Sequence, residues 1–171
     1  VTRDRDALPS LRERFAAETK DDTRRKIALA LGDLRDVQAL PILAIALRDS
    51  SSAEPVRDAA LAALESIGTD RAATTLLDLL TSPDLAESRQ PRVIEALGRF
   101  QSKPAVPVLL EKTRSSAAPV RRSAITALGR IGGEAPVREA IQRAFEDADP
   151  DVKTAAIQAV ATLKDRSAIP A

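Results

Sequence analysis

The chain contains no cysteine, histidine, methionine, tryptophan or tyrosine, and all three of its aromatic residues are phenylalanine. Without cysteine there is neither a disulfide framework nor a thiolate nucleophile. Without histidine and cysteine, the usual ligands of zinc, copper and haem are missing, and so is the most frequent general base. So few aromatic rings leave no stacking platform for nucleobases. The composition therefore disfavours catalysis, and we expect no catalytic residue, no cofactor and no bound metal.

An excess of charge of either sign is also lacking, because 26 lysines and arginines balance 25 aspartates and glutamates. On total charge, this excludes a polybasic nucleic-acid module and an acidic tail, although a local patch stays open. No apolar run approaches the roughly 18 residues of a membrane span, and the mixed charges at the start do not form a signal peptide. The absence of cysteine fits the periplasm as well as the cytoplasm, with the cytoplasm preferred. Abundant alanine and arginine with little lysine fit a bacterial genome rich in G and C.

An internal repeat organises the whole chain. An Ala-Leu or Ala-Val pair recurs at 30–31, 63–64, 96–97, 127–128 and 159–160, and an apolar motif lies about 20 residues before each pair. From Val56 to Ile67 the apolar residues follow helical spacing, which predicts two helices in each repeat. The predicted repeats span about 7–34, 37–68, 70–101, 103–132 and 134–163, with a truncated sixth from 165.

Glycines recur at two aligned positions of the second helix. Gly32, Gly98 and Gly129 follow the alanine-leucine pair directly. Because glycine is costly inside a helix, its recurrence there predicts a close approach of neighbouring helices. Gly68 and Gly132 lie where the second helix ends, which predicts a left-handed cap.

The repeated pattern V-R-x-x-A-x-x-A-L-x-x-I-G, with a proline early in the first helix, resembles HEAT repeats of the bacterial PBS-lyase HEAT-like type. The resemblance covers residues 7–170. It implies an all-α fold, a right-handed α-α solenoid of about five helical hairpins that forms a single domain over 1–171. The second helices would line a concave face and the first helices a convex one. The chain begins without methionine, which leads us to expect a fragment of a longer protein.

Helical geometry selects four aligned positions that should face the concave groove, filled in the second repeat by Asp58, Ala59, Ala62 and Ser66. Ser123 and Ala155 share the position of Ala59. The candidate partner-binding residues at these positions are Arg25, Lys26, Arg92, Glu95, Arg99, Arg122, Thr126, Arg130 and Gln158. In the middle of the groove four arginines accompany a single acid, Glu95, so we interpret this region as a basic strip that grips carboxylates or phosphates. The alternative is an ordinary solvated helix face.

A second set of basic residues follows the valine of the repeated pattern. The resemblance implies that these residues form a structural ladder with acids in the turns of the same and adjacent repeats. The predicted ladder comprises Arg24, Arg57, Arg121, Lys153, Asp49 and Asp147, with Glu18 as a further acid. We expect the ladder to stabilise the stacking of repeats and not to recognise a partner.

Three functions compete at this stage. The favoured one is a non-catalytic scaffold that binds a protein, such as an acidic segment, along its concave face. The alternatives are nucleic-acid binding through phosphates, which is disfavoured, and an accessory role in an enzyme like the bilin lyase for which the family type is named. HEAT-like DNA glycosylases depend on aromatic residues that this chain lacks.

Three smaller expectations follow from the sequence. The aspartates at 147, 149 and 151 cap a helix N-terminus and do not bind a metal. Phe15, Phe100 and Phe145 lie at core positions of their helices. The last second helix, 150–163, exposes an apolar flank, so the chain either continues or self-associates through that end.

Overall fold

The computed structural model describes the backbone of residues 6–167 and the side chains of residues 6–163. Within these residues the regular structure is entirely helical, so the all-α prediction is confirmed. The helices are α1 (Leu8–Ala17), α2 (Asp21–Asp33), α3 (Leu40–Arg48), α4 (Glu54–Ile67), α5 (Asp70–Thr81), α6 (Gln90–Arg99), α7 (Val106–Lys112), α8 (Ala118–Ile131), α9 (Ala135–Arg143) and α10 (Pro150–Ser167). Short 3-10 turns occupy Val37–Ala39, Glu87–Arg89, Lys103–Ala105 and Ala144–Glu146. The predicted sixth repeat lies largely outside the described residues.

Proline marks the start of many of these helices. It stands in the first turn of α1, α3, α4, α6, α7, α8 and α9. At this place its missing N–H costs no intrahelical hydrogen bond, and its fixed φ angle favours the helix. The recurrent prolines therefore place the helix starts at the period that the sequence predicts.

The chain divides into two compact units, Val1–Leu85 and Ala86–Ala171. In the first unit α2 packs beside α4, and α3 packs against α4. In the second unit α8 lies between α6 and α10, while α7 and α9 cover it. The largest buried side chains of the first unit are Phe15, Leu31, Leu43, Leu64, Ile67 and Leu76. Those of the second unit are Ile94, Leu97, Leu109, Ile125, Leu128 and Ile141.

Close helix packing within each unit depends on glycine. A Cβ placed on Gly32 would lie 2.7 Å from the Cα of Ala63, and one on Gly98 would lie 2.9 Å from the Cα of Ala127. Non-bonded carbon atoms pack at about 3.5–4.0 Å, so no side chain fits at either crossing without a shift of the helices. The predicted close approach of second helices is therefore confirmed.

The position that ends the second helix has a positive φ angle in four repeats. Gly68 forms the predicted left-handed cap, with φ 65° and ψ 29°. Gly132 does not, because its φ of 76° is combined with an extended ψ of −177° that directs the chain away from the helix. Arg35 and Gln101 hold the same aligned position without glycine, each with φ 51°. The sequence analysis missed this conformation because neither residue type signals it.

The three phenylalanines differ in burial. Phe15 is fully buried between α1 and its neighbours, as predicted, and Phe100 is half-buried. The core prediction for Phe145 is wrong, because its side chain is 37 % exposed. It lies in the 3-10 turn Ala144–Glu146 after α9, where the tighter winding turns Ala144 inward and Phe145 outward.

Candidate interaction site

A polar depression of about 300 Å³ lies across α6, α8 and α10 in the second unit. It is lined by Glu95, Arg122, Thr126, Asp151, Thr154, Ala155 and Gln158, and these seven residues are called the polar depression below. Arg122 and Thr126 on α8 are four residues apart, and Asp151, Thr154 and Gln158 on α10 follow spacings of three and four, which places each set on one face of its helix. The structure thus brings together four of the predicted partner-binding residues: Glu95, Arg122, Thr126 and Gln158.

The wall of the depression is fixed by a hydrogen bond between two helices. The Ser123 hydroxyl of α8 donates to Glu95 Oε1 of α6 at 3.1 Å. Ser123 is buried, and so are Ala59 and Ala155 at the same aligned position. The prediction that this position faces the groove is therefore wrong for Ala59 and Ser123, whereas Ala155 is buried and still borders the polar depression. In α4, α8 and α10 this position lies close to a neighbouring second helix and is filled by a small side chain, whereas the exposed Lys26 and Arg92 hold it in α2 and α6.

Arg122 provides the positive charge of the polar depression. Its side chain is exposed and makes no hydrogen bond or ion pair within the described part of the chain. The same side chain borders a smaller depression of about 90 Å³ with Ala118, Pro119, Asp149 and Asp151. Asp151 therefore joins Glu95 as a second acid beside Arg122, and the lining is mixed in charge. The arginine-rich interpretation of this region omitted Asp151 because it lies a full turn before the aligned positions used.

The remaining predicted binding residues lie outside the polar depression. In the first unit, Arg25 and Lys26 both form ion pairs with Asp22, at 3.1 and 2.6 Å. The ammonium of Lys26 and the guanidinium of Arg25 lower the pKa of the Asp22 carboxyl. Arg92, Arg99 and Arg130 are exposed, and each of them has an interaction partner. In this structure Arg122 is thus set apart from the other predicted cations by its unpaired guanidinium.

The predicted ladder residues Arg121 and Asp147 form a bidentate ion pair. Arg121 donates from Nε and Nη2 to the two carboxylate oxygens of Asp147, both at 2.8 Å. It also donates from Nη1 to the backbone carbonyls of Ser115 and Ser116, each at 3.0 Å. The Arg121 guanidinium lowers the pKa of Asp147, and Asp147 raises the pKa of Arg121. These bonds connect the turn before α8 with the turn before α10.

In the first unit a serine intervenes in the ladder. Arg24 donates to the Ser52 hydroxyl at 3.1 Å, and Ser52 donates to Asp49 Oδ2 at 2.9 Å. Hydrogen bonds from Ser51 and Ser52, with the nearby charge of Arg24, lower the pKa of Asp49 to about 2. Arg57 binds the backbone carbonyls of Asp49 and Ser50, at 3.1 and 3.2 Å, and Arg24 also lies over the Phe15 ring, 5.1 Å from its centre.

The ladder position in the third repeat is filled by Gln90. Here the direction of the hydrogen bond is reversed, because Lys112 of the next repeat donates from Nζ to Gln90 Oε1 at 2.8 Å. In the Arg121 pair the cation lies in the earlier repeat and the acceptor in the later one. Here the acceptor Gln90 lies in the earlier repeat and the cation Lys112 in the later one. The sequence analysis did not include Gln90 in the ladder and did not pair it with Lys112.

A buried ion pair in the first unit was also missed. Arg12 of α1 donates to Asp36 Oδ2 at 2.7 Å, and the Asp36 side chain is only 4 % exposed. The other oxygen, Oδ1, accepts the N–H of Gln38 at 3.1 Å and caps the 3-10 turn Val37–Ala39. Asp36 therefore joins α1 of the first repeat to the start of the second.

Two of the three aspartates around the start of α10, Asp147 and Asp149, serve as turn and cap residues, and Asp151 lies in the first turn of the helix. Asp149 Oδ1 accepts the backbone N–H of Asp151 at 2.8 Å, and Asp147 Oδ1 accepts that of Asp149 at 2.9 Å. Among the residues that the structure describes, no group of three acidic side chains is arranged to hold a metal ion. None of the described helices has the length and apolar character that a membrane crossing requires.

Comparison with known proteins identifies the repeat. The family profile described as HEAT repeats matches residues 8–92 and 88–161, which is nearly the whole chain. The chain belongs to the HEAT-repeat family. A search of curated proteins finds no significant match. The resemblance stated from the sequence is thereby confirmed.

Two solved structures show the same fold. One is the complex of CpcE and CpcF of phycocyanin lyase from Nostoc sp. PCC7120, with 23 % identity and a TM-score of 0.55 over 92 % of this chain. This HEAT-repeat chain spans 64 % of the length of that one. The other is the archaeal HEAT-like repeats protein from Thermococcus onnurineus NA1, with 21 % identity and a TM-score of 0.58, covering 94 % of this chain and 72 % of that one. At these identities the likeness concerns the fold alone.

Proposed function

We propose that this HEAT-repeat protein is a non-catalytic module that binds a protein partner at the polar depression of its second unit. HEAT repeats are protein-interaction folds whose stacked helices present extended surfaces. One observation supports this choice of face: Glu95, Arg122, Thr126 and Gln158, from three successive second helices, line a single concavity. The binding face and the identity of the partner are our proposals.

The chemistry of the depression defines the segment that it would accept. Arg122 offers a planar guanidinium that binds a carboxylate through two parallel hydrogen bonds. Glu95 and Asp151 accept hydrogen bonds from amide or hydroxyl donors, and Gln158 can both donate and accept. We therefore propose a polar peptide segment that places one carboxylate on Arg122. This proposal is more specific than the acidic segment expected from the sequence. The carboxylates of Glu95 and Asp151 would repel a segment with several adjacent acids.

The same charges weigh against the nucleic-acid alternative. A phosphate backbone needs several converging cations, whereas Arg122 in the polar depression stands beside Glu95 and Asp151. No residue in the described part of the chain offers a specific observation in favour of a lyase role. The similarity to the phycocyanin lyase complex concerns the fold, so that role is not proposed here.

A charge-reversal pair tests the proposal. Partners are captured from nuclease-treated lysate of the source cells with three tagged proteins: wild type, the Arg122→Glu variant and the control variant Arg138→Glu. The captured proteins are quantified by mass spectrometry. Arg138 is an exposed arginine on α9, so its reversal changes the net charge equally at a site away from the polar depression. Folding of each variant is verified by circular dichroism.

We expect proteins that are retained by wild type and by Arg138→Glu and that are lost from Arg122→Glu. A benzoylphenylalanine cross-linker at Thr126 should then attach to the same proteins, which shows direct contact. Equal capture by all three folded proteins would contradict the proposed face. In a parallel capture from untreated lysate, proteins that are retained there and lost after nuclease treatment would favour the phosphate alternative.

A further inference from the structure

The second unit contains a further concavity, which is apolar. It has a volume of about 500 Å³ and lies between the starts of α7 and α9, the first helices of two neighbouring repeats. This volume falls within the range of small-molecule sites, which is roughly 300–1,000 Å³. None of the residues of the polar depression lines it. We define this apolar cleft by its four branched apolar residues, Val106, Leu110, Ile131 and Val137.

The corresponding place in the first unit is filled. There the aligned residues of α3 and α5 are all buried: Leu40, Ala44 and Ala73. The cleft has the larger Leu110 and Val137 at the positions of the two alanines, and yet Leu110 and Val106 remain half-buried. Apolar surface that stays in contact with water is unfavourable, at about 25 cal/mol per Å². A bound apolar group that covers this lining would therefore be stabilised.

The turn before α9 accounts for the open cleft. In the first unit α5 begins two residues after Gly68, and the Thr69 hydroxyl caps it. In the second unit α9 begins three residues after Gly132, and Gly133 stands at the aligned position of Thr69. The backbone of Gly133 packs so closely on Val137 that a Cβ there would lie 2.6 Å from Cγ2 of the valine. The later helix start and the missing side chain leave the cleft accessible.

Two charges of opposite sign lie side by side at one end of the cleft. Lys103 and Glu134 both line it, and both are exposed. They stand at the same aligned position, three residues before Val106 and Val137. Neither side chain makes a hydrogen bond or an ion pair with another described residue. A purely anionic ligand, such as a fatty acid, would be repelled by Glu134, and a purely cationic one by Lys103. The charges thus complement a ligand that carries a carboxylate and an ammonium together.

We propose that the apolar cleft binds a free α-amino acid with an apolar side chain. In such a molecule both charged groups are attached to one carbon atom, so they lie at the same end, as Lys103 and Glu134 do. The Lys103 ammonium binds the ligand carboxylate, the Glu134 carboxylate binds the ligand ammonium, and the apolar side chain covers Val106 and Leu110. An internal segment of a protein lacks both of these main-chain charges. The site is separate from the polar depression and does not depend on the partner proposed there.

The probe for this proposal is L-phenylalanine. The 171-residue chain, labelled with ¹⁵N and with ¹³C in its methyl groups, is titrated with it and followed by NMR. The amides of Gly132 and Gly133 and the methyl groups of Leu110 report from the lining. Three matched probes each lack one feature: N-acetyl-L-phenylalanine lacks the ammonium, 2-phenylethylamine lacks the carboxylate, and L-serine lacks the apolar side chain.

We expect L-phenylalanine to shift these resonances in a saturable way. Each matched probe should bind about tenfold more weakly, because it lacks a charge-assisted hydrogen bond or the apolar contact. The variants Lys103→Glu and Glu134→Lys should weaken the binding of L-phenylalanine by a similar factor. The control variants Lys20→Glu and Glu139→Lys change exposed charges away from the cleft and should bind it like wild type.

Shifts that do not saturate, or that spread over both units, would overturn the proposal. So would equal binding of L-phenylalanine and of a matched probe, or unchanged affinity in the folded Lys103→Glu and Glu134→Lys variants. Tighter binding of N-acetyl-L-phenylalaninamide, which imitates an internal residue of a protein, would replace the amino acid by a docked protein segment. The probe series needs only wild type, so it decides the question even if a variant does not fold.

Discussion

Gly129 of α8 and Ala159 of α10 cross so closely that a Cβ on Gly129 would lie 2.6 Å from the Cβ of Ala159. The two helices carry the candidate residues Arg122 and Gln158, so this crossing sets the width of the polar depression. Spacing at the site therefore depends on a residue that lies outside it.

Replacing Gly129 by alanine should destabilise the protein. Alanine favours the helix by roughly 1 kcal/mol over glycine, but the added methyl group overpacks the crossing, and such changes cost about 1–3 kcal/mol. We expect a net loss of about 1 kcal/mol in the free energy of unfolding. Urea titration followed by circular dichroism measures it, since the chain has no tryptophan or tyrosine for intrinsic fluorescence. Ser66→Ala, at an exposed site on α4, is the control and should change stability by less than about 0.5 kcal/mol. A more stable Gly129→Ala variant would contradict the close packing.

Arg35 is expected to store backbone strain, because its φ angle of 51° lies in the left-handed region. A residue with a Cβ is destabilised in this region by about 1–2 kcal/mol relative to glycine. Part of the stability gained by a glycine substitution is lost again, because glycine makes the unfolded chain more flexible. We expect Arg35→Gly to stabilise the protein by about 0.5–1 kcal/mol in the same titration. The control Arg138→Gly places glycine inside α9 and should destabilise by a similar amount. Loss of stability in Arg35→Gly would show that the side chain outweighs the strain.

The fold could be predicted from the sequence because the same pattern of apolar residues recurs in each repeat. The helical spacing around Ala63 and Leu64, and the glycines at one aligned position, indicate both the helices and their close crossing. The burial of Ser123 could not be read in this way. Helical spacing gives the face of an isolated helix, whereas the rotation of that helix against its neighbour decides that Ser123 meets Glu95 instead of solvent.

The ion pairs were harder to predict for a related reason. Arg12 and Asp36 are 24 residues apart. Arg12 lies in the first repeat and Asp36 in the turn between the first and second repeats, and neither is part of the repeated V-R-x-x-A-x-x-A-L-x-x-I-G pattern. Their contact depends on the loop path between the hairpins. Asp151 was missed as a lining residue because it precedes the aligned positions, yet in the structure it lines the same depression as Arg122.

The buried pair of Arg12 and Asp36 should be important for the first unit. Removing one partner of a buried ion pair leaves the other charge uncompensated, which costs about 3–5 kcal/mol when burial is complete. Because Arg12 keeps some exposure, we expect Asp36→Ala to lower the free energy of unfolding by about 2–4 kcal/mol, which includes the loss of the cap on Gln38. Asp36→Asn keeps an acceptor for that N–H and should lose less. Thermal unfolding by circular dichroism ranks the variants, and an Asp36→Asn variant as stable as wild type would mean that the cap and not the charge stabilises this turn.

Acid should weaken the first unit through Asp49. The folded state holds the pKa of this carboxyl at about 2, below its ordinary value of 3.8, so the unfolded chain takes up its proton first as the pH falls. The contribution of Asp49 is therefore complete above about pH 4 and is lost as the pH falls from there toward 2. Urea midpoints measured at pH 5 and at pH 3 should differ less in Asp49→Asn than in wild type. Asp78→Asn, which alters an exposed carboxylate on α5, is the matched control. An Asp49→Asn variant with the full acid sensitivity of wild type would show that the hydrogen bonds from Ser51 and Ser52 do not hold this carboxylate in its charged form.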